Sequence, residues 1–184
     1  MREFLTLLED KAKPQDIEIV ALNFTEGEVS PVMSNDTVEL HYGKLAHGYA
    51  ERYNKKEGDL EFNYAGVFLH NTLFTQYREV RTNNKPNGPM KTFIDKHFGN
   101  YETLKQEIED TALSIQGSGW VYLAENGTLK TIKNHEVRND ILLLIDFWEH
   151  AWILDYGSDK KKYLDAYWKI INWNVINTRW GHSL

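Results

Sequence analysis

The stretch DFWEHAW, Asp146 to Trp152, brings an aspartate, a glutamate and a histidine close together directly after the apolar run ILLLI. A short apolar run bounded in this way reads as a buried strand. Unpaired charges are costly to bury, and a metal ion would reverse that cost. Two more histidines sit on apolar stripes upstream. Val38, His41, Tyr42, Leu45 and Tyr49 share one helix face by the i, i+3, i+4 rule, and Phe62, Gly66, Leu69, His70, Leu73 and Tyr77 share another. Three imidazoles and one carboxylate (His41, His70, Asp146 and His150) suit a first-row transition ion such as iron or manganese, and suit zinc as well. Taken singly, each residue has an ordinary reading: a core histidine, or a strand that ends where it meets solvent. The joint pattern points to a metal, but spacing alone does not name a reaction.

Those four residues require elements that carry them inward. A first helix begins near Asn35, where Asp36 followed by Glu39 has the spacing of a capping box, and it ends at the turn signal NKKEGD. A second helix is expected over about 60–77. Two helices joined by a short turn pack antiparallel, so each presents one histidine to the same interior. Upstream, LTLLED reads as a short helix and IEIVAL as a short strand. The Asn, Pro and Gly in RTNNKPNGP mark a boundary between an N-terminal unit, 1–84, and a C-terminal one, 85–184. Beyond it come two helical patterns, around Met90 to His97 and Leu104 to Ile115. The strands WVYLAE and LKTIKN follow, joined at Asn126-Gly127, and then the strand ILLLID. The aromatic tail KKKYLDAYWKIINWNVINTRW reads as helical. The fold class is therefore α+β: an antiparallel helical hairpin lobe, then a lobe with a three-stranded antiparallel sheet and helices.

Composition narrows the chemistry. With 184 residues the chain can bury a real core, and 13% aromatic content argues against disorder. Cysteine is absent, so disulfides and thiolates play no part, and any metal must be held by His, Asp, Glu or water. The net charge of −6, with no basic stripe, disfavours nucleic acid as a partner. No apolar run approaches the ~20 residues of a membrane span. The N-terminus carries acids and does not read as a signal peptide, so the expected location is cytoplasmic.

Several segments together resemble the iron/manganese superoxide dismutase family. SPVMSNDTVELHYGK and FNYAGVFLHNTLF are similar to its two helices that carry histidine ligands, with His41 and His70 at the ligand positions. GSGWVYL resembles its Gly-Ser-Gly-Trp segment, LLLIDFWEHAW its D-x-W-E-H signature, and NWNVINTRW its closing helix. The similarity runs from about residue 24 to 180. It implies one Fe or Mn ion per chain between the lobes, held by His41, His70, Asp146 and His150, with superoxide as substrate. It also implies a homodimer in which Glu149 reaches the partner's copy of His150. Tyr49 matches the family's gateway tyrosine, Trp120 and Trp148 its aromatic wall, and His135 the group beside the ion's solvent. If the substrate is the superoxide anion, Lys44, one turn beyond His41, and Arg179 are candidates for drawing it in, and each also reads as a solvated surface charge.

The chain also departs from that family. The stretch between His41 and His70 is short, Leu45 stands where a histidine is common, and Ile153 replaces a tyrosine that helps to bridge the dimer. The Arg-Pro turn usual after Ser158 is missing, and residues 1–20 have no counterpart. Three readings stay open: a dismutase, a non-catalytic relative serving as a structural or interaction module, and another metalloenzyme such as a zinc hydrolase.

Overall fold

The computed structural model describes residues 16–182. Its first rod consists of three abutting stretches, Asn35–Val38, Glu39–Ala46 and His47–Asn54, together called α1. The cap is Ser34, whose hydroxyl accepts a hydrogen bond from Thr37 N at 3.2 Å. It replaces the Asp36–Glu39 box expected from spacing. Ser34 has the extended backbone that a cap needs, whereas Asp36 already lies in the first turn, where its charge still favours the positive helix end. The middle stretch of α1 is π-helical. That rare, widened winding carries His41, and the i, i+3, i+4 pattern gave no sign of it.

A turn leads to α2, Leu60–Thr75, whose cap Asp59 accepts from Phe62 N at 3.0 Å. The two rods form the expected hairpin. The segment IEIVAL, expected as a short strand, is irregular and joins no sheet among the described residues. Side-chain amides take the place of a neighbouring strand. Asn54 bonds both the N–H and the carbonyl of Ile17, and Asn71 bonds Val20 N and the Glu18 carbonyl. LTLLED lies outside the described residues.

After an irregular connector the chain forms α3, Gly88–Phe98, and α4, Tyr101–Leu113. The sheet follows: β1, Gly119–Ala124; β2, Leu129–Lys133; and β3, Ile141–Asp146, in the antiparallel order β2-β1-β3. Gly127 in the β1–β2 turn has a φ of 81°, the left-handed conformation that makes Asn-Gly a turn signal. Every residue of β1 and β3 is buried, because helices cover both faces, while β2 is partly exposed. The aromatic tail is not one helix. It divides into α5, Ile153–Tyr156, α6, Lys160–Tyr167, a 3-10 turn Trp168–Ile170, and α7, Trp173–His182. The break at Ile171 and Asn172 lets the chain bridge to Tyr77 and Gln76 at the end of α2.

Candidate metal centre

Each of the four residues singled out by spacing comes from a different element. His41 lies on the π-helical part of α1, His70 on α2, and Asp146 ends β3. His150 sits in the 3-10 turn Glu149–Ala151 that follows. Their donor atoms all lie within 4.8 Å of one another. Oδ2 of Asp146 is the hub, 3.1 Å from His41 Nε2, 3.2 Å from His150 Nε2 and 3.9 Å from His70 Nε2. Bonds of about 2.1 Å to one ion would place donors about 3–4 Å apart, so these spacings suit a single cation.

The polar atoms make the same case. Asp146 and His70 are fully buried and His41 nearly so. Among the described residues, Nε2 of His41 and Nε2 of His70 have no hydrogen-bond partner. The Asp146 carboxylate is close to His41 Nε2 without hydrogen-bond alignment, and at 3.9 Å it is out of hydrogen-bond reach of His70 Nε2. Buried polar atoms almost always find partners, and a group of them converging without one fits a missing cation. Nδ1–H of His70 donates to the Gly66 carbonyl at 2.7 Å, which fixes the tautomer and leaves the Nε2 lone pair facing the hub. Asp146 is anchored through Oδ1, which accepts from Trp148 N at 2.8 Å.

Burial pushes the His41 imidazole below its ordinary pKa, against the upward pull of Asp146. Burial, then neighbouring His41, pushes His70 further down. Burial alone would raise Asp146, but His150 and His41 beside it outweigh that and hold it below the usual carboxylate range. His41 and His70 therefore offer neutral imidazoles and Asp146 an ionised carboxylate, the donor forms that a metal requires.

The expected surround is also close by. The Tyr49 ring lies 5.4 Å from that of His70 and 4.7 Å from that of His135. Trp120 meets His70 edge-on at 5.1 Å, and Trp148 lies 5.6 Å from His150 and 4.8 Å from His135. Trp120 Nε1 donates to the Asn134 carbonyl at 2.9 Å and so holds the loop that carries His135. Burial pushes the Tyr49 hydroxyl up to about 12, with Asp146 adding to the shift, so it stays protonated. Burial pushes His135 down to about 4, so it is neutral at pH 7. Both ring nitrogens of His135 lack a hydrogen-bond partner among the described residues. A cleft of about 760 Å³ beside Phe62 and Tyr64 reaches His135 from outside.

Periodicity placed Gly66 on the buried face without giving it a role. A Cβ there would stand 2.8 Å from His135 Nδ1 and 2.9 Å from Tyr49 Cγ. Glycine in a helix interior costs about 0.5–1 kcal/mol, and here it makes room for both rings. The signal in the sequence was a glycine one turn before a candidate ligand, within an otherwise strong helix.

The remaining expected residues differ in their surroundings. Glu149 is exposed next to His150. Lys44 is exposed and pairs with Glu39 at 3.0 Å, which offsets its field. Arg179 does not match the steering role expected of it. Its guanidinium is turned inward and donates to Gln76, the Leu142 and Thr72 carbonyls and the Thr75 hydroxyl. A cation held by those acceptors ties helices to the sheet and is not a charge at a site mouth.

An α+β fold with three imidazoles and a carboxylate converging between a helical hairpin and a sheet defines the class of candidate mononuclear metal-binding proteins. Residues 86–179 match the family model described as iron/manganese superoxide dismutases, C-terminal domain. The chain is 33% identical to the superoxide dismutase [Mn/Fe] of Porphyromonas gingivalis, over 89% of this chain and 98% of that protein. It is 30% identical to the superoxide dismutase [Fe] of Bacteroides fragilis, over 88% and 98%. It is 29% identical to the mitochondrial superoxide dismutase [Mn] of Onchocerca volvulus, over 86% and 84%. The chain belongs to the iron/manganese superoxide dismutase family.

Proposed function

We propose that the chain is a superoxide dismutase, converting two superoxide anions and two protons to oxygen and hydrogen peroxide at one Fe or Mn ion held by His41, His70, Asp146 and His150. The observation that carries this reading is the convergence of four donor atoms within 4.8 Å in a family member that keeps every expected ligand. The intact donor set disfavours a non-catalytic relative. When bound, the ion supplies the one-electron chemistry, alternating between two oxidation states. The three imidazoles contribute no charge and Asp146 contributes one negative charge, which favours the higher state. Trp120 and Trp148 keep bulk water from the donors. The Tyr49 hydroxyl, held protonated, is a hydrogen-bond donor at neutral pH, and neutral His135 can donate from one nitrogen and accept at the other. These two groups are suited to delivering the protons that peroxide needs. Lys44 is the remaining candidate for drawing in the anion.

The same reading extends to a homodimer in the cytoplasm. Glu149, exposed next to His150, supports a contact with a partner subunit, and a sequence without cysteine is compatible with a reducing compartment. No helix among the described residues is long and apolar enough to cross a membrane. The relatives are named for Fe, Mn or both, so the choice of metal is left to experiment. Ion-free protein would be reconstituted separately with Fe and with Mn, and assayed for metal content and superoxide consumption. Activity is expected with at least one metal, and His150→Ala should abolish it. Full activity in that variant, or in protein that binds neither ion, would refute the reading.

A further inference from the structure

Strand β3 lies at the edge of the sheet, and among the described residues no strand pairs with its outer side. Unpaired strand edges are a liability that folds must cover. Here side chains do so. Gln76, immediately after α2, is fully buried. Its amide oxygen accepts from Leu144 N at 3.1 Å and from Arg179 at 2.9 Å. Its amide nitrogen donates to the Leu144 carbonyl and, at 2.9 Å, to the Tyr167 hydroxyl. All four hydrogen-bonding capacities of the amide are therefore used. Arg179 spans the same junction, donating to the Leu142 carbonyl on β3 at 2.9 Å, the Thr72 carbonyl on α2 at 2.5 Å and the Thr75 hydroxyl at 2.9 Å.

The two elements joined here each carry one candidate ligand. His70 precedes Gln76 by about 9 Å along the helix. Asp146 follows Leu144 by about 7 Å along the strand. Apolar surfaces can slide by fractions of an ångström at little cost, whereas a fully satisfied buried amide cannot. Donor placement within about 0.5 Å separates a good metal site from a loose one.

We propose that Gln76, braced by Arg179, is a positioning residue for the metal centre, setting the spacing and register between the helix that carries His70 and the strand that carries Asp146. The proposal rests on the metal-site reading above. It assigns Gln76 no contact with the ion and no part in proton transfer.

The test uses the manganese-loaded full chain. Wild type is compared with Gln76→Met, Arg179→Lys and a control, Asn54→Ala, which removes the two bonds to Ile17 far from the joint. Three quantities are measured: the rate of manganese loss to excess chelator, the electron paramagnetic resonance spectrum of the bound ion, and the thermal midpoint of ion-free protein. Gln76→Met should release the ion about 10–100-fold faster, as changes behind metal ligands typically do, with an altered spectrum. Arg179→Lys should move both readouts in the same direction by less. Asn54→Ala should lower the ion-free midpoint while leaving release rate and spectrum at wild-type values. The proposal is overturned if Gln76→Met and Arg179→Lys lose manganese no faster than Asn54→Ala and keep the wild-type spectrum. If Gln76→Met does not fold, Arg179→Lys decides on the same readouts. A wild-type protein that takes up no ion would overturn the metal-site reading itself, a different outcome from unchanged variants of a protein that does.

Discussion

The two sides of the metal centre are built differently. On the sheet side, Asp146 ends a fully buried strand, its Oδ1 is fixed by Trp148 N, and its carbonyl accepts from the Tyr163 hydroxyl at 2.8 Å. On the hairpin side, His70 has one support, the Gly66 carbonyl, and His41 has no hydrogen-bond partner at either nitrogen among the described residues. His41 also stands on π-helical backbone, whose winding is less favourable than that of an α-helix. The sheet side is anchored by more protein hydrogen bonds than the hairpin side. The expectation from this contrast is that the sheet-side donor is held more firmly than the hairpin-side imidazoles before an ion binds.

That contrast can be broken first at the hub. Asp146→Ala should abolish metal uptake, because each imidazole faces its Oδ2, while His41→Ala should keep weak binding through three donors; metal content after dialysis measures both. Removing the ion comes next. At free ion a thousandfold above Kd, binding stabilises a fold by about 4 kcal/mol. Its loss should speed amide exchange in α1 and α2 while β1 and β3 stay protected, and equal loosening of both sides would end the contrast.

The third prediction concerns acid. His135 titrates at about 4 when folded, against an ordinary value of 6.5, so between those values the unfolded chain binds more protons. Its contribution is complete above pH 6.5 and declines as pH falls toward 4, by up to about 3 kcal/mol. His135→Gln should flatten that part of the stability profile in chemical denaturation.

Smaller effects sharpen the picture. Gly66→Ala places a Cβ against His135 and Tyr49, and overpacking of this kind costs about 1–3 kcal/mol. Calorimetry should show that loss on the hairpin side, together with reduced activity. Tyr163→Phe removes one hydrogen bond to the Asp146 carbonyl, worth about 1 kcal/mol, and should slightly speed metal release.

Much of the site was legible because local periodicity reports burial. His41 and His70 lay on apolar stripes, and ILLLID ended at the aspartate around which the three histidines gather. The misses have physical causes. The cap moved from Asp36 to Ser34 because backbone conformation, not residue spacing, decides which oxygen reaches the first free N–H. The tail broke at Ile171 where Gln76 and Tyr77, just after α2, supply backbone partners from a distant part of the chain. Arg179 looked like a surface charge until carbonyls from α2 and β3 surrounded it.

By itself, the sequence determined the donor types, the elements that carry them and the α+β class, since these depend on neighbours within a few residues. The tertiary structure alone decided that Oδ2 of Asp146 would be the hub, that Gly66 would make room for His135, and that Gln76 would join helix to strand. Those contacts link residues far apart in the chain, and their distances are set by how whole elements pack, which no local pattern encodes.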